Sequence, residues 1–287
     1  RSPADVFFSG TFRTQDYRIG LIRIPNYSPA DTTAALAQFR REMAYFQDHT
    51  DGLIVDQMRN PGGGVAYTNS LLQYLIPFPF RALGFEIRAT SNWVTRFSSA
   101  LEIARSRGAE PWIVRLTEAI LQEIVTANRE NRGRTGPLPL DDVSLDREPA
   151  RDAGGAVLAY AKPLMVLVDE FSASGGDAFP ATIQDNQRGP IFGMRTMGAG
   201  GSVVTLGVGS YSEGSAGMTQ TLMNRKYPIV TSEYPVAPYV ENIGVRPDIE
   251  ADYMTRENLL NGGRDFVQAF TAAMVDHIRK NGDPVRP

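Results

Sequence analysis

Two segments of the chain set chemistry-bearing residues in the same local context. Each is a short apolar run that ends in a glycine-rich turn and leads into a helix-like stretch. The first runs from Gly52-Leu53-Ile54-Val55-Asp56 into Arg59-Asn60-Pro61-Gly62-Gly63-Gly64. The second runs from Lys162-Pro163-Leu164-Met165-Val166-Leu167-Val168, through Asp169-Glu170-Phe171, into Ser172-Ala173-Ser174-Gly175-Gly176-Asp177. A turn of this kind leaves backbone N–H groups facing outward at a helix N-terminus, where they can hold an anion or a developing oxyanion. The second turn also carries Ser174, flanked by small residues and close to those donors, as a nucleophile requires. The local alternatives are an N-cap role for Ser172 or Ser174 and a plain tight turn for the three glycines. Neither turn matches a P-loop or a dinucleotide fingerprint, and Ser172 breaks the G-x-S-x-G pattern of a hydrolase elbow.

The elements that must position these turns are legible from periodicity. Tyr17 to Ile24 alternates and reads as a strand, and Asp31 caps a helix over Thr32 to Asp48 with Leu36, Phe39, Met43 and Phe46 on one face. The first glycine turn leads into a helix from Ala66 to Ile76. The second leads into one reaching about Asn186, with Pro180 in or near its first turn. Pro190-Ile191-Phe192-Gly193 forms a short strand, Val203 to Thr231 reads as a β-meander, and Phe266 to Ile278 as a closing amphipathic helix. Ser98 to Asn131 reads as one or two helices broken near Gly108, and Gly133 to Arg151 as loop. Together, residues 98–151 look like a helical insertion or cap on the core. Alternation of strand and helix predicts an α/β fold with a mostly parallel sheet.

Composition narrows the function. The chain has 287 residues with a formal net charge of −3, which gives no bulk reason to expect nucleic acid or an anionic membrane. No apolar run reaches the roughly 18 residues that span a bilayer. The absence of cysteine excludes disulfides, thiolate–zinc sites and a cysteine nucleophile. With His49 and His277 as the two histidines, a histidine-rich metal site is not expected. The start at Arg1-Ser2-Pro3 reads as a processed product or an excised piece of a longer polypeptide.

Taken in order, the motifs point further than any one alone. The Asp56 to Gly64 segment resembles the aspartate, arginine, asparagine and glycine element of the S41 peptidases, the C-terminal processing and tricorn-type serine proteases. Val168 to Pro180 resembles that family's nucleophile segment. Gln184-Asp185-Asn186, Gly193 with Arg195-Thr196, and Glu241-Asn242 with Gly244-Val245 and Pro247-Asp248 continue the match. The similarity spans about Tyr17 to Ile249, apart from the insertion. It implies a layered crotonase/ClpP-like core over residues 1–287, a polypeptide substrate, no cofactor and no metal.

One departure selects a branch. The processing proteases resemble a Ser/Lys dyad, yet the position 25 residues after Ser174 is Ala199, within Thr196-Met197-Gly198-Ala199-Gly200-Gly201. That turn is more similar to the tricorn and chlamydial-protease-like branch, which uses serine, histidine and glutamate. By this correspondence Ser174 is the nucleophile and Glu241, 67 residues on, orients the imidazole. The oxyanion would be met by Gly175 N–H and an N–H of the Gly62-Gly63 turn. In that branch the histidine comes from a region before a PDZ domain, so the general base is expected upstream of Arg1. His49 reads as a solvated helix-end residue that favours the dipole, and His277 as no better a base. Asp177 reads as a helix-start charge, and Asp56 and Arg59 as braces of the turn. Two other readings stand beside the peptidase: an inactive S41-like module binding peptides or partner subunits, and a crotonase-like acyl-CoA enzyme. A homo-oligomer is compatible with all three. The resemblance, with the lack of cysteine, favours an exported bacterial protein, periplasmic or secreted.

Overall fold

The computed structural model describes residues 6–211, 213–230, 232 and 235–281. In chain order the elements are β1 (Phe8–Thr14), β2 (Tyr17–Arg23), α1 (Thr32–His49), β3 (Gly52–Asp56), α2 (Val65–Gln73), β4 (Phe80–Arg81) and β5 (Gly84–Ile87). Then follow α3 (Ser91–Ser106), α4 (Pro111–Arg129), β6 (Asp146–Arg147), β7 (Leu164–Val168), α5 (Gly175–Asp185) and β8 (Ile191–Gly193). The last are β9 (Val203–Gly207), β10 (Ser215–Thr219), β11 (Thr221–Ile229), β12 (Ala237–Tyr239), β13 (Ile249–Glu250), α6 (Arg256–Leu260) and α7 (Arg264–Asn281). The chain forms two compact units. One comprises residues 1–81, 147–199 and 242–287, the other 82–146 and 200–241.

The first unit is a six-stranded sheet in the order β1-β2-β3-β7-β8-β13. The β1–β2 hairpin is antiparallel and every other pairing is parallel, the mixed α/β arrangement that the alternating elements require. Strands β3 and β7 are central, so both their faces need cover, and their residues are almost all buried. One face is closed by α7, whose Phe266, Phe270, Met274 and Ile278 pack with Ile19, Ile54, Met165, Leu167 and Phe192. The other parity of the pleat meets α1: a Cβ on Gly20 would lie 2.7 Å from the Phe46 ring, and Gly20 leaves room for it. Each Ile, Leu or Phe sequestered in this way contributes about 1.5–3 kcal/mol before ordering costs. Helix α1 starts where its cap predicts, with Asp31 Oδ1 accepting the Ala34 N–H at 2.9 Å.

The second unit joins β12-β11-β5 into an antiparallel sheet and β9-β10 into a separate two-stranded ribbon. Helices α3 and α4 lie either side of Gly108, which takes φ +65°, so the break in the helical stretch falls where the glycine allows it. The helical stretch begins at Ser91, earlier than Ser98. The unit's core gathers Ile87, Trp93, Ile120 and Ile124, with Phe97, Leu116 and Leu138 against it. Glu86 on β5 is 9% exposed and takes Arg134 at 2.8 Å and the Tyr239 hydroxyl at 3.0 Å. Among the described residues no helix is long and apolar enough to cross a membrane.

Pro180 does not sit in the first turn. Helix α5 begins at Gly175, so the proline falls at its sixth residue, inside the helix. A proline there withholds the N–H that would bond the carbonyl four residues back, that of Gly176. The fold supplies another donor, Gln57 Nε2, at 2.8 Å.

Candidate active site

Ser174 occupies the N-cap position of α5 with φ +55° and ψ −112°. That backbone region is nearly glycine-only, so a serine in it is strained by on the order of 1–3 kcal/mol and persists only if its neighbours enforce it. The enforcing groups can be named. The Ser174 N–H is shared between the Ala199 carbonyl at 3.1 Å and Asp177 Oδ2 at 2.9 Å. The preceding Ala173 N–H donates to the Asn60 carbonyl at 2.9 Å, and Met197 N–H to the Ser172 carbonyl at 2.9 Å.

Asp177 is more than a charge at a helix start. Its carboxylate is fully buried and accepts from Ser174 N–H, from Gly198 N–H at 2.9 Å and from Ala199 N–H at 3.0 Å. It therefore ties the serine turn to the Thr196–Ala199 turn through one side chain. Burial pushes this carboxyl above its ordinary range, while hydrogen bonds from Thr196, Gly198, Ala199 and Ser174 pull the other way. Periodicity could not have shown this role, because the Gly198 and Ala199 donors lie on a different turn.

The two glycine turns converge. A Cβ placed on Gly62 would lie 2.6 Å from Ser174 Cβ and 2.6 Å from Gly175 N, and one placed on Gly175 would lie 3.2 Å from Gly63 N. Gly62 and Gly63 take φ +96° and +148°, conformations open to glycine. Asn60 anchors the turn: its Oδ1 accepts the Gly62 N–H at 2.9 Å and its Nδ2 donates to the Ile24 carbonyl at 3.0 Å. The Gly62 N–H is thus occupied. Among the described residues, the N–H groups of Gly63 and Gly175 have no acceptor.

A second layer holds the turns. The Tyr27 hydroxyl donates to Gln57 Oε1 at 2.7 Å, and Gln57 passes the connection to the Gly176 carbonyl. The Tyr27 backbone pairs with Gly62 and Gly64 at 2.9 Å each, and its ring stacks on Phe179 at 5.6 Å. Burial raises the Tyr27 phenol well above its usual value, with Tyr67 adding to it, so it stays a donor. Asp169, also fully buried, accepts the Arg59 N–H at 2.8 Å and the Ser172 hydroxyl at 3.0 Å. Arg59 reaches over the Phe171 ring at 5.5 Å, whereas Asp56 pairs with Arg23 at 2.6 Å. Gln57 and Asp169 lie within the two motif segments, but their roles, like that of Tyr27, carried no sequence signal, since a buried polar side chain is recognised by its partners.

The remaining motif residues brace the 243–248 segment. Arg195 donates to the Ile243 carbonyl at 2.8 Å, Thr196 Oγ1 accepts the Val245 N–H at 2.7 Å, and Gln184 Nε2 donates to Asp248 Oδ1 at 3.0 Å. Glu241 belongs to the second unit. It is half-buried in a turn, and its Oε1 accepts the Met223 N–H at 2.7 Å, so it is a positioned carboxylate rather than a free surface one. The histidines are engaged elsewhere: exposed His49 ends α1, stacked on Tyr45 at 4.3 Å with Nδ1 2.8 Å from the Tyr45 carbonyl. His277 Nδ1 lies 3.1 Å from Asn281 Nδ2 on α7.

Comparison with known proteins now decides the family. The profile of Peptidase family S41 matches residues 18–251. The chain belongs to peptidase family S41. Among curated relatives of this S41 chain, a protein of Chlamydia trachomatis serovar D is 26% identical over 93% of the chain and 46% of its own length. A Chlamydia pneumoniae protein is 28% identical over 92% of the chain and 45% of its own length. The S41 chain thus spans about half the length of the curated relatives it matches. The solved structure of mature CPAF complexed with lactacystin superposes with a TM-score of 0.76 at 22% identity, over 96% of the S41 chain and 55% of that one. The likeness shows a shared fold.

Proposed function

We propose that this chain is the core of a serine endopeptidase that cleaves peptide bonds through an acyl-enzyme on Ser174. The observation that carries the reading is a strained Ser174 at φ +55° beside two backbone N–H groups, of Gly63 and Gly175, that have no acceptor among the described residues. In this reading Ser174 Oγ attacks the scissile carbonyl as its proton passes to an imidazole. The carbonyl oxygen becomes an oxyanion held by Gly63 and Gly175 N–H, a term worth roughly 3–4 kcal/mol per donor. The tetrahedral species collapses with proton return to the leaving amine, and water then releases the acyl group by the same steps.

Glu241 is assigned the orienting carboxylate, and the imidazole is assigned to polypeptide outside residues 1–287. Two facts support that second assignment: both histidines of this chain are bound up on helices α1 and α7, and the relatives extend over about twice its length. Gly62 serves as the spacer that lets the serine turn approach, since its N–H is given to Asn60.

Intact-mass labelling with a fluorophosphonate tests the reading. A Ser174-dependent adduct on this chain means that the base lies within it. An adduct that appears once the flanking polypeptide is restored supports a base from outside. No adduct on either form favours the second reading, an inactive S41-like module that binds peptides, to which Ala199 in place of a dyad lysine already lends weight.

A further inference from the structure

The second unit carries a cavity of about 480 Å³ between the β9–β10 ribbon and the start of α3. Its wall is apolar and exposed: Leu206 and Met218 of the ribbon are 45% and 40% exposed. Beneath them Trp93 forms a rigid floor, 8% exposed and fixed by its Nε1 donating to Gln220 Oε1 at 2.9 Å. Two cations line the same cavity. The Arg96 guanidinium lies 5.0 Å over the Trp93 ring, and Arg88 Nη1 sits 3.7 Å from Met218 Sδ. Among the described residues neither arginine has a carboxylate within ion-pair distance. Their neighbours contrast with them: Arg134 is paired with Glu86 and Arg132 with Glu123 and Glu130. Among the described residues the ribbon strands pair with each other alone, so each offers an edge to an extended chain.

We propose that this cavity is a docking site for an extended segment of the polypeptide substrate in which acidic side chains flank an aliphatic one. The inference rests on the peptidase reading for the word substrate and on the second unit alone for the site. The aliphatic side chain lies on Trp93 between Leu206 and Met218, removing exposed apolar surface from water. The carboxylates meet Arg88 and Arg96, whose planar donors match a carboxylate in pairs. The volume suits a few side chains, within the range of specific ligand pockets. Two guanidinium groups already held over apolar surface lose little freedom on binding, which favours such a ligand over solvent.

The test uses the chain with Ser174→Ala, to remove any cleavage, and Trp112→Phe, which leaves Trp93 as its one tryptophan. The probe is a capped synthetic peptide of alternating Glu and Leu, and its partner carries Lys for every Glu. The expected result is a saturable change in Trp93 emission with the acidic peptide, weakened about tenfold or more by Arg88→Gln with Arg96→Gln, and no saturable change with the lysine peptide. Equal response to both peptides, no response to either, or an unchanged affinity in the double variant overturns the proposal. Both arginines are exposed, so the variant is expected to fold, and Arg88→Lys with Arg96→Lys provides a charge-retaining check. Because the readout is binding to a serine-less chain, its failure is separate from failure of fluorophosphonate labelling.

Discussion

The carbonyl of Gly176 accepts a hydrogen bond from Gln57 Nε2 at 2.8 Å, replacing the helical bond that Pro180 cannot make. One buried amide thereby joins the two glycine turns, because Gln57 follows β3 and Gly176 opens α5. Removing it is expected to leave the Gly176 carbonyl buried without a partner. Gln57→Leu should lower the unfolding free energy by about 1–3 kcal/mol in a denaturant titration. Adding Pro180→Ala restores a helical N–H, so the double variant should recover part of that loss. A double-mutant cycle showing strict additivity would contradict the coupling.

Ser174 at φ +55° and ψ −112° stores strain that glycine would not feel. Ser174→Gly should raise thermal stability, by roughly 1 kcal/mol, while abolishing any fluorophosphonate adduct. Ser174→Ala keeps the strained backbone and should leave stability close to the parent. A glycine variant less stable than the alanine variant would show that the turn is relaxed.

Asp177 should leave a signature in the pH dependence of stability. Its carboxyl is raised above the ordinary 3.8 by burial. Between that value and the raised one the folded chain binds more protons than the unfolded chain, so this group's contribution falls as pH rises through the window. Asp177→Asn removes the titration but offers one fewer acceptor to the Ser174, Gly198 and Ala199 N–H groups. The variant should be less stable overall, and the gap to the parent should narrow as pH rises through the window. A gap that widens with pH would reverse the assignment.

His277 behaves with the opposite sign. Burial first, then Arg188 and Lys280, lower its pKa below the ordinary 6.5. The unfolded chain therefore takes up the proton more readily, and stability is lost as pH falls below 6.5 toward the lowered value. His277→Gln should flatten that part of the curve when unfolding is followed by near-ultraviolet dichroism.

Much of this was written locally. The Asp31 cap, the period of α1 from Phe39 to Phe46 and the break at Gly108 each follow from a few adjacent residues and stand where the pattern put them, while the strand in the run Lys162 to Val168 begins two residues later, at Leu164. The turn motifs around Gly62 and Ser174 were legible for the same reason: their glycines and small residues are required by backbone conformation, a local property. What the sequence could not show is which buried polar groups meet. Gln57 bonds a carbonyl 119 positions away, Arg59 N–H finds Asp169 across 110, and Asp177 reaches Gly198 across 21. No periodicity encodes such pairs, because a hydrogen bond depends on atoms brought within about 3 Å by the packing of whole strands and helices. The sequence by itself determined most of the elements, the family motifs and the glycine-rich turn that carries Ser174. The tertiary structure alone decided that Gly63 and Gly175, rather than Gly62, keep N–H groups without an acceptor among the described residues, that Pro180 lies within a helix, and that a buried aspartate holds Ser174 in its strained conformation.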